Sequence, residues 1–158
     1  MGGRMFLDLH DRGSGEGENE EHPHFNRELF LTICSVYERA KAEKNTLLKH
    51  EHFMVELLSN PEVRAMLIAE GFSHCAIHAI GTEIEAGLVP VSGDAQIYTL
   101  PSVVKALSQL VVLSKNLGKK VGGVYFLYCL LSEDSDGTLI FRGKGISRKS
   151  LLPYLETA

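Results

Sequence analysis

The chain has 158 residues, enough for one domain with a real core, and a net charge of −4 from 16 bases and 20 acids. It holds no run of about 18 apolar residues to span a membrane, and Met1-Gly2-Gly3-Arg4-Met5-Phe6-Leu7 is too short an apolar start for a signal peptide. Three widely spaced cysteines, Cys34, Cys75 and Cys129, suit reduced thiols in a cytoplasmic protein and not a disulfide framework.

Residues 1–24 carry six acids against two bases, and the stretch Gly13–Glu21 has nothing to bury, so a flexible acidic tail is predicted there. From Phe25 the apolar period becomes helical. Leu29, Ile33, Val36, Tyr37 and Ala40 recur at steps of three and four and predict a helix of about four turns. A short helix with Phe53, Met54, Leu57 and Leu58 inward follows. Asn60-Pro61 then supplies an N-cap and a first-turn proline for a helix burying Val63, Met66 and Leu67. Gly71 is predicted to end it in a left-handed conformation, and Ser73 to cap the next helix, striped by Ile77, Ile80 and Ile84 up to Gly87.

Residues 88–98 read as a linker rich in turn residues. Beyond it, Val104, Leu107, Leu110 and Val111 line a helix ending near Gly118. Phe126, Leu127, Leu130 and Leu131 line the next, Leu139 and Ile140 mark a short one stopped near Gly143–Gly145, and Ser147 caps a last helix carrying Leu151 and Tyr154. Pro153 lies well inside that last helix, where a kink or early end is expected. No segment shows strand alternation.

The chain is also written twice. Phe53, Leu57-Leu58 and Ser59 align with Phe126, Leu130-Leu131 and Ser132 at a spacing of 73, and Gly71 and Ser73 align with Gly145 and Ser147 at 74. The predicted fold is therefore all-α, with about eight helices in two pseudo-symmetric four-helix repeats, 25–87 and 99–158, forming one domain over 25–158. Residues 25–87 hold nine acids and six bases, whereas 95–158 hold four acids and eight bases. Those bases have no interleaved aromatics, so a solvated polar face is the expectation and nucleic acid is not an expected partner.

The stretch Leu47-Leu48-Lys49-His50-Glu51-His52-Phe53-Met54-Val55-Glu56-Leu57-Leu58, with Glu28-Leu29 and Arg39-Ala40 upstream, resembles the Clp N-terminal repeat, most closely of the ClpA and ClpC type. The second copy, Val121-Gly122-Gly123 through Ser132 and on to Gly145-Ile146, resembles that family's second repeat, so the likeness covers about residues 25–157. The resemblance implies a domain without catalysis or cofactor, which docks adaptor or substrate proteins for an AAA+ unfoldase–protease. Two departures stand out: Lys49 replaces the threonine that caps the Glu-His helix, and the second copy has Val124-Tyr125 in place of Glu-His. The ATPase is missing as well. Gly137 to Gly143-Lys144-Gly145 has five residues between its glycines where a phosphate loop needs four, and Gly145 where Ser or Thr should stand. The chain is expected to be either an excised N-terminal domain or a stand-alone accessory subunit that modulates Clp assembly.

For partner binding, the resemblance points to Thr46, Glu51 and His52, with Glu51 a polar anchor at a solvated helix entrance and a basic or amide-rich adaptor surface steered toward the acidic first copy. Chemistry finds weaker footing. His50-Glu51-His52 places its histidines on different helix faces, so packing is expected there and not metal ligation. His74 and His78, four apart, do share a face and are the metal candidates, with His10, His22 or His24 to complete a site for a small metal-dependent enzyme. Cys34 and Cys129 fall in apolar stripes and read as core residues. No enzyme activity is expected.

Overall fold

The computed structural model describes residues 21–93 and 96–157; the predicted tail segment 1–20 lies outside them. The fold is all-α. Among the described residues there are eight helices: α1 (Arg27–Ala42), α2 (His50–Leu57), α3 (Pro61–Ala69), α4 (His74–Ala86), α5 (Pro101–Leu117), α6 (Gly123–Leu130), α7 (Asp136–Gly143) and α8 (Arg148–Thr157). None is long and apolar enough to cross a membrane. Two strands of two residues each, β1 (Leu47–Leu48) and β2 (Tyr98–Thr99), pair in parallel, too short to leave an alternating pattern in the sequence.

The local signals act as physical chemistry requires. The Asn60 side chain accepts the Glu62 and Val63 N–H groups at the head of α3, and Ser73 accepts from Ala76 at the head of α4. Gly71 and Gly145 both take positive φ, +99° and +86°, and each is followed two residues later by the serine that opens the next helix. Helices α1 and α5 end in the same motif: the Asn45 N–H donates to the Ala40 carbonyl, and the Lys119 N–H to that of Ser114. The left-handed residue inside that turn is Gly118 in the second half and Lys44 in the first, at φ of 68° and 55°.

The two halves interlock reciprocally. Phe25, just before α1, bridges to Val121, between α5 and α6; β2, just before α5, pairs with β1, between α1 and α2. The Asn26 N–H donates to the Val121 carbonyl at 2.9 Å, and the Leu100 N–H donates to Leu48 at 3.0 Å. Asn26 and Leu100 are 74 apart and Leu48 and Val121 are 73 apart, so the structural repeat has the spacing of the sequence repeat. Equivalent phenylalanines meet between the halves: Phe53 and Phe126 lie edge to face, ring centroids 5.7 Å apart. Around them Leu57, Leu58, Leu130 and Leu131 are all buried.

The predicted stripes of α1 through α4 and of α6 are all buried. Others are shifted. In α5 the buried face is Val103, Ala106, Leu107, Leu110 and Ser114, with Val104 and Val111 only half-buried. In α7 the expected Leu139 is exposed and Phe141 enters the core, because the helix begins at Asp136 and turns Gly137, Thr138 and Phe141 inward. Helix α8 does not end at Pro153 but continues to Thr157. The tail prediction is also trimmed at its end. His22 stacks on Phe25 at 4.1 Å and accepts the His24 N–H at 3.0 Å, while the His24 carbonyl accepts from Val121 at 2.9 Å.

Candidate functional site

Helix α2 packs against helices of both halves, and its two faces do different work. On the inward side the Glu51 carboxylate reaches across to α7 and accepts the Gly137 N–H at 2.8 Å. Glu51 is buried, at 6% exposure, and so corrects the expectation of a solvated anchor. Desolvation alone would raise its pKa, but the N–H groups of Gly137 and Glu51, the Ser135 hydroxyl and His50 outweigh burial and hold it below the usual carboxylate value. A Cβ at Gly137 would collide with the Met54 sulfur and crowd Glu51, so a larger residue there displaces the Met54 side chain.

At the repeat-related contact, between α3 and α6, the direction is reversed. Helix α6 starts at Gly122-Gly123 with no acid of its own, and the Glu62 carboxylate of α3 accepts the Val124 N–H at 3.1 Å. A side chain at either glycine would strike Glu62 or Asn60. The first half thus supplies both carboxylates, and both helix starts that they reach belong to the second half.

On its outward side α2 forms one wall of a cleft of about 310 Å³. Helical spacing places Val36, Arg39, Ala40 and Glu43 of α1 on one face; His52, Val55 and Glu56 come from α2; Glu85, Leu88 and Pro90 close the far side. The floor is apolar and the rim is charged. Arg39 donates to Glu43 at 2.9 Å and to Glu85, and lies 3.6 Å from Glu56. The hydrogen bonds from Glu43 and Glu85 raise the Arg39 pKa further. Three carboxylates against one guanidinium leave the rim net acidic.

His52 belongs to this cleft. Burial lowers its pKa, its Nδ1 accepts the Lys49 N–H at 3.0 Å, and its Nε2 lies 3.0 Å from the Asn45 amide nitrogen. Lys49 makes no side-chain cap bond to α2, and what His52 satisfies is the N–H of Lys49 itself. His50 is itself buried, its pKa lowered by burial, and its Nε2 has no partner among the described residues. Thr46 stands on the adjoining loop, where its N–H and hydroxyl both donate to the Val91 carbonyl, at 2.7 and 2.8 Å. Asn45 accepts the Val91 N–H at 3.0 Å, so the linker is pinned along the cleft edge. The structure therefore places His52 in the cleft wall, leaves Thr46 on the loop beside it, and turns Glu51 away.

No protein-family model and no curated protein matches the chain.

His74 and His78 both line a shallower pocket beside α4, but both are exposed and His74 Nδ1 faces the Arg64 guanidinium. Among the described residues no group of three or more His, Cys, Asp or Glu side chains is arranged to hold a metal ion. Cys129 is buried, which pushes its thiol up to about 11 and away from nucleophilic chemistry. Arg39, Glu43, Asn45, Glu56 and Glu85 were not singled out by sequence. The Arg39–Glu43 step of four is visible there, but Glu85 lies 46 residues from Arg39 and joins it only through the fold.

Proposed function

We propose that this chain is a non-catalytic docking domain that presents adaptor or substrate proteins to a Clp AAA+ unfoldase–protease in the cytoplasm. The observation that carries the reading is the reciprocal pairing of two helical halves at the spacing of 73–74 residues that also carries the resemblance to the Clp repeat. The cleft of α1, α2 and α4 supports it, because an apolar floor with an acidic rim suits a peptide with an apolar side chain next to a cation. A guanidinium or ammonium there competes with Arg39 for Glu43 and Glu85. Glu85 takes the anchoring role first given to Glu51, with His52 and Thr46 on the wall and edge.

The test joins the chain to the ATPase ring of a Clp unfoldase stripped of its own N-terminal domain, and follows adaptor-dependent degradation of a fluorescent substrate. Recovery of adaptor dependence, reduced at least tenfold by Glu85→Lys, is expected. Degradation no faster than that of the stripped ring alone refutes the proposal.

A further inference from the structure

A second cleft, of about 500 Å³, opens between α5, α6 and α8, lined by Lys105, Gln109, Val112, Leu113, Tyr128 and Arg148 among others. It is the repeat-related partner of the acidic cleft. Arg39 of the first corresponds to Leu113 of the second at the spacing of 74 that relates α1 to α5, and Val55 and Glu56 correspond to Tyr128 and Cys129 at the spacing of 73 that relates α2 to α6. The chemistry is inverted between them. The position of Arg39 is taken by Leu113, beside Val112, which is 54% exposed, and that of Glu56 by the buried Cys129. Among the described residues no carboxylate lines this second cleft. Its two cations, Lys105 and Arg148, are exposed and make no ion pair among the described residues, and the Arg148 guanidinium lies over the Tyr128 ring at 4.1 Å.

We infer that this cleft is a second docking surface, for an acidic peptide segment of a partner protein that carries apolar side chains between its carboxylates. Val112, Leu113 and Tyr128 offer apolar contact at the centre, and Lys105 and Arg148 flank it from α5 and α8. Carboxylates of the segment pair with those two cations, and the guanidinium fork of Arg148 can grip one in two-point fashion while stacked on Tyr128. In the first cleft the guanidinium is already surrounded by carboxylates of the chain; in the second, neither cation is ion-paired among the described residues, and both are open to an external carboxylate. A single-stranded nucleic acid fits less well, because stacking needs a free aromatic face and that of Tyr128 is covered by Arg148. The inference does not depend on the partner being a Clp machine.

The experiment is a fluorescence-anisotropy titration of the full chain with a fluorescein-labelled peptide of sequence Glu-Glu-Phe-Glu-Leu-Glu, alongside its lysine counterpart Lys-Lys-Phe-Lys-Leu-Lys. The acidic peptide should bind at least tenfold more tightly to wild type than to the Lys105→Glu, Arg148→Glu double variant, and Val112→Asp should weaken it as well. Both sites are exposed, so the urea midpoint of each variant should match wild type and exclude unfolding as the cause. Glu85→Lys, in the other cleft, should leave acidic-peptide binding within about twofold of wild type. Equal binding of the two peptides, or insensitivity to the double variant, overturns the proposal. So does a single-stranded oligonucleotide that binds this cleft more tightly than the peptide. If instead Asp8→Lys with Asp11→Lys in the full chain tightens peptide binding tenfold, the chain's own acidic segment is the occupant and the partner assignment fails.

Discussion

Replacing Glu51 by alanine removes a buried carboxylate. The Gly137 N–H it accepts is buried against Met54, so the loss strands a donor as well as deleting a charge-assisted bond. A hydrogen bond to a charged group is worth about 1.5–3 kcal/mol, and an unsatisfied buried donor costs about 1–3 kcal/mol. The two overlap, and with the favourable placement of an anion at the start of α7 the expected loss is about 2–4 kcal/mol. Glu51→Gln keeps an acceptor and should cost about half as much. Glu51→Lys puts a cation against a helix start in a buried site and should cost at least about 3–5 kcal/mol, a large share of a typical total near 5–15 kcal/mol. Urea unfolding followed by circular dichroism reads these differences. The pH dependence is a second signature. Because the folded-state pKa of Glu51 is depressed, its contribution is complete above the ordinary carboxylate value and is lost as pH falls through the folded one, so the gap between wild type and Glu51→Ala should close in acid. An alanine variant within about 0.5 kcal/mol of wild type at neutral pH, with an unchanged denaturant slope, would refute the reasoning.

Truncating Leu58 or Leu131 to alanine should each cost about 2–5 kcal/mol by urea unfolding, since both are buried beside the central phenylalanines. Lys44→Gly should raise stability by up to about 1 kcal/mol, because it relieves a left-handed lysine where the second half uses Gly118; a loss of stability would contradict that account. Burial lowers the folded-state pKa of His50 and His52, so the unfolded chain takes up protons first as pH falls below about 6.5. The stability they allow is present above that pH and declines toward the lower folded-state values, so the urea midpoint should drop between about pH 7 and pH 5, and His50→Gln should flatten the slope. Calorimetric titration with ATP should show no saturable micromolar binding, because the Gly137 N–H that a phosphate would need already holds Glu51.

Most of the helical plan was legible because it rests on local rules. The stripes of α1 through α4, the Asn60 and Ser73 caps and the left-handed Gly71 follow from spacing and side-chain chemistry within a few residues. The errors lie where distant contacts decide. Leu139 has the hydropathy of a core residue, but the phase of α7 is set by Gly137 and Thr138 packing on α2, and that turns Leu139 outward. Glu51 looks like any exposed first-turn acid until Gly137, 86 residues later, is brought to it. Likewise the acidic rim is assembled from three helices, and only its Arg39–Glu43 edge lies within one of them. The bridges pairing Phe25 with Val121 and β1 with β2 involve too few residues to leave any periodicity.

Because Phe25–Val121 and Leu47–Tyr98 both run between halves, neither half carries a complete set of backbone partners of its own. Nothing in those bonds distinguishes the chain's own second half from that of a neighbouring copy. A chain refolding at high concentration has two ways to satisfy them: closing on itself, or exchanging halves with another chain to form a domain-swapped dimer. What separates the outcomes is the course of the connecting segment, and that course is set by the bonds of Asn45 and Thr46 to Val91. Those bonds hold the start of the segment against the first half and so favour closure of a chain on itself.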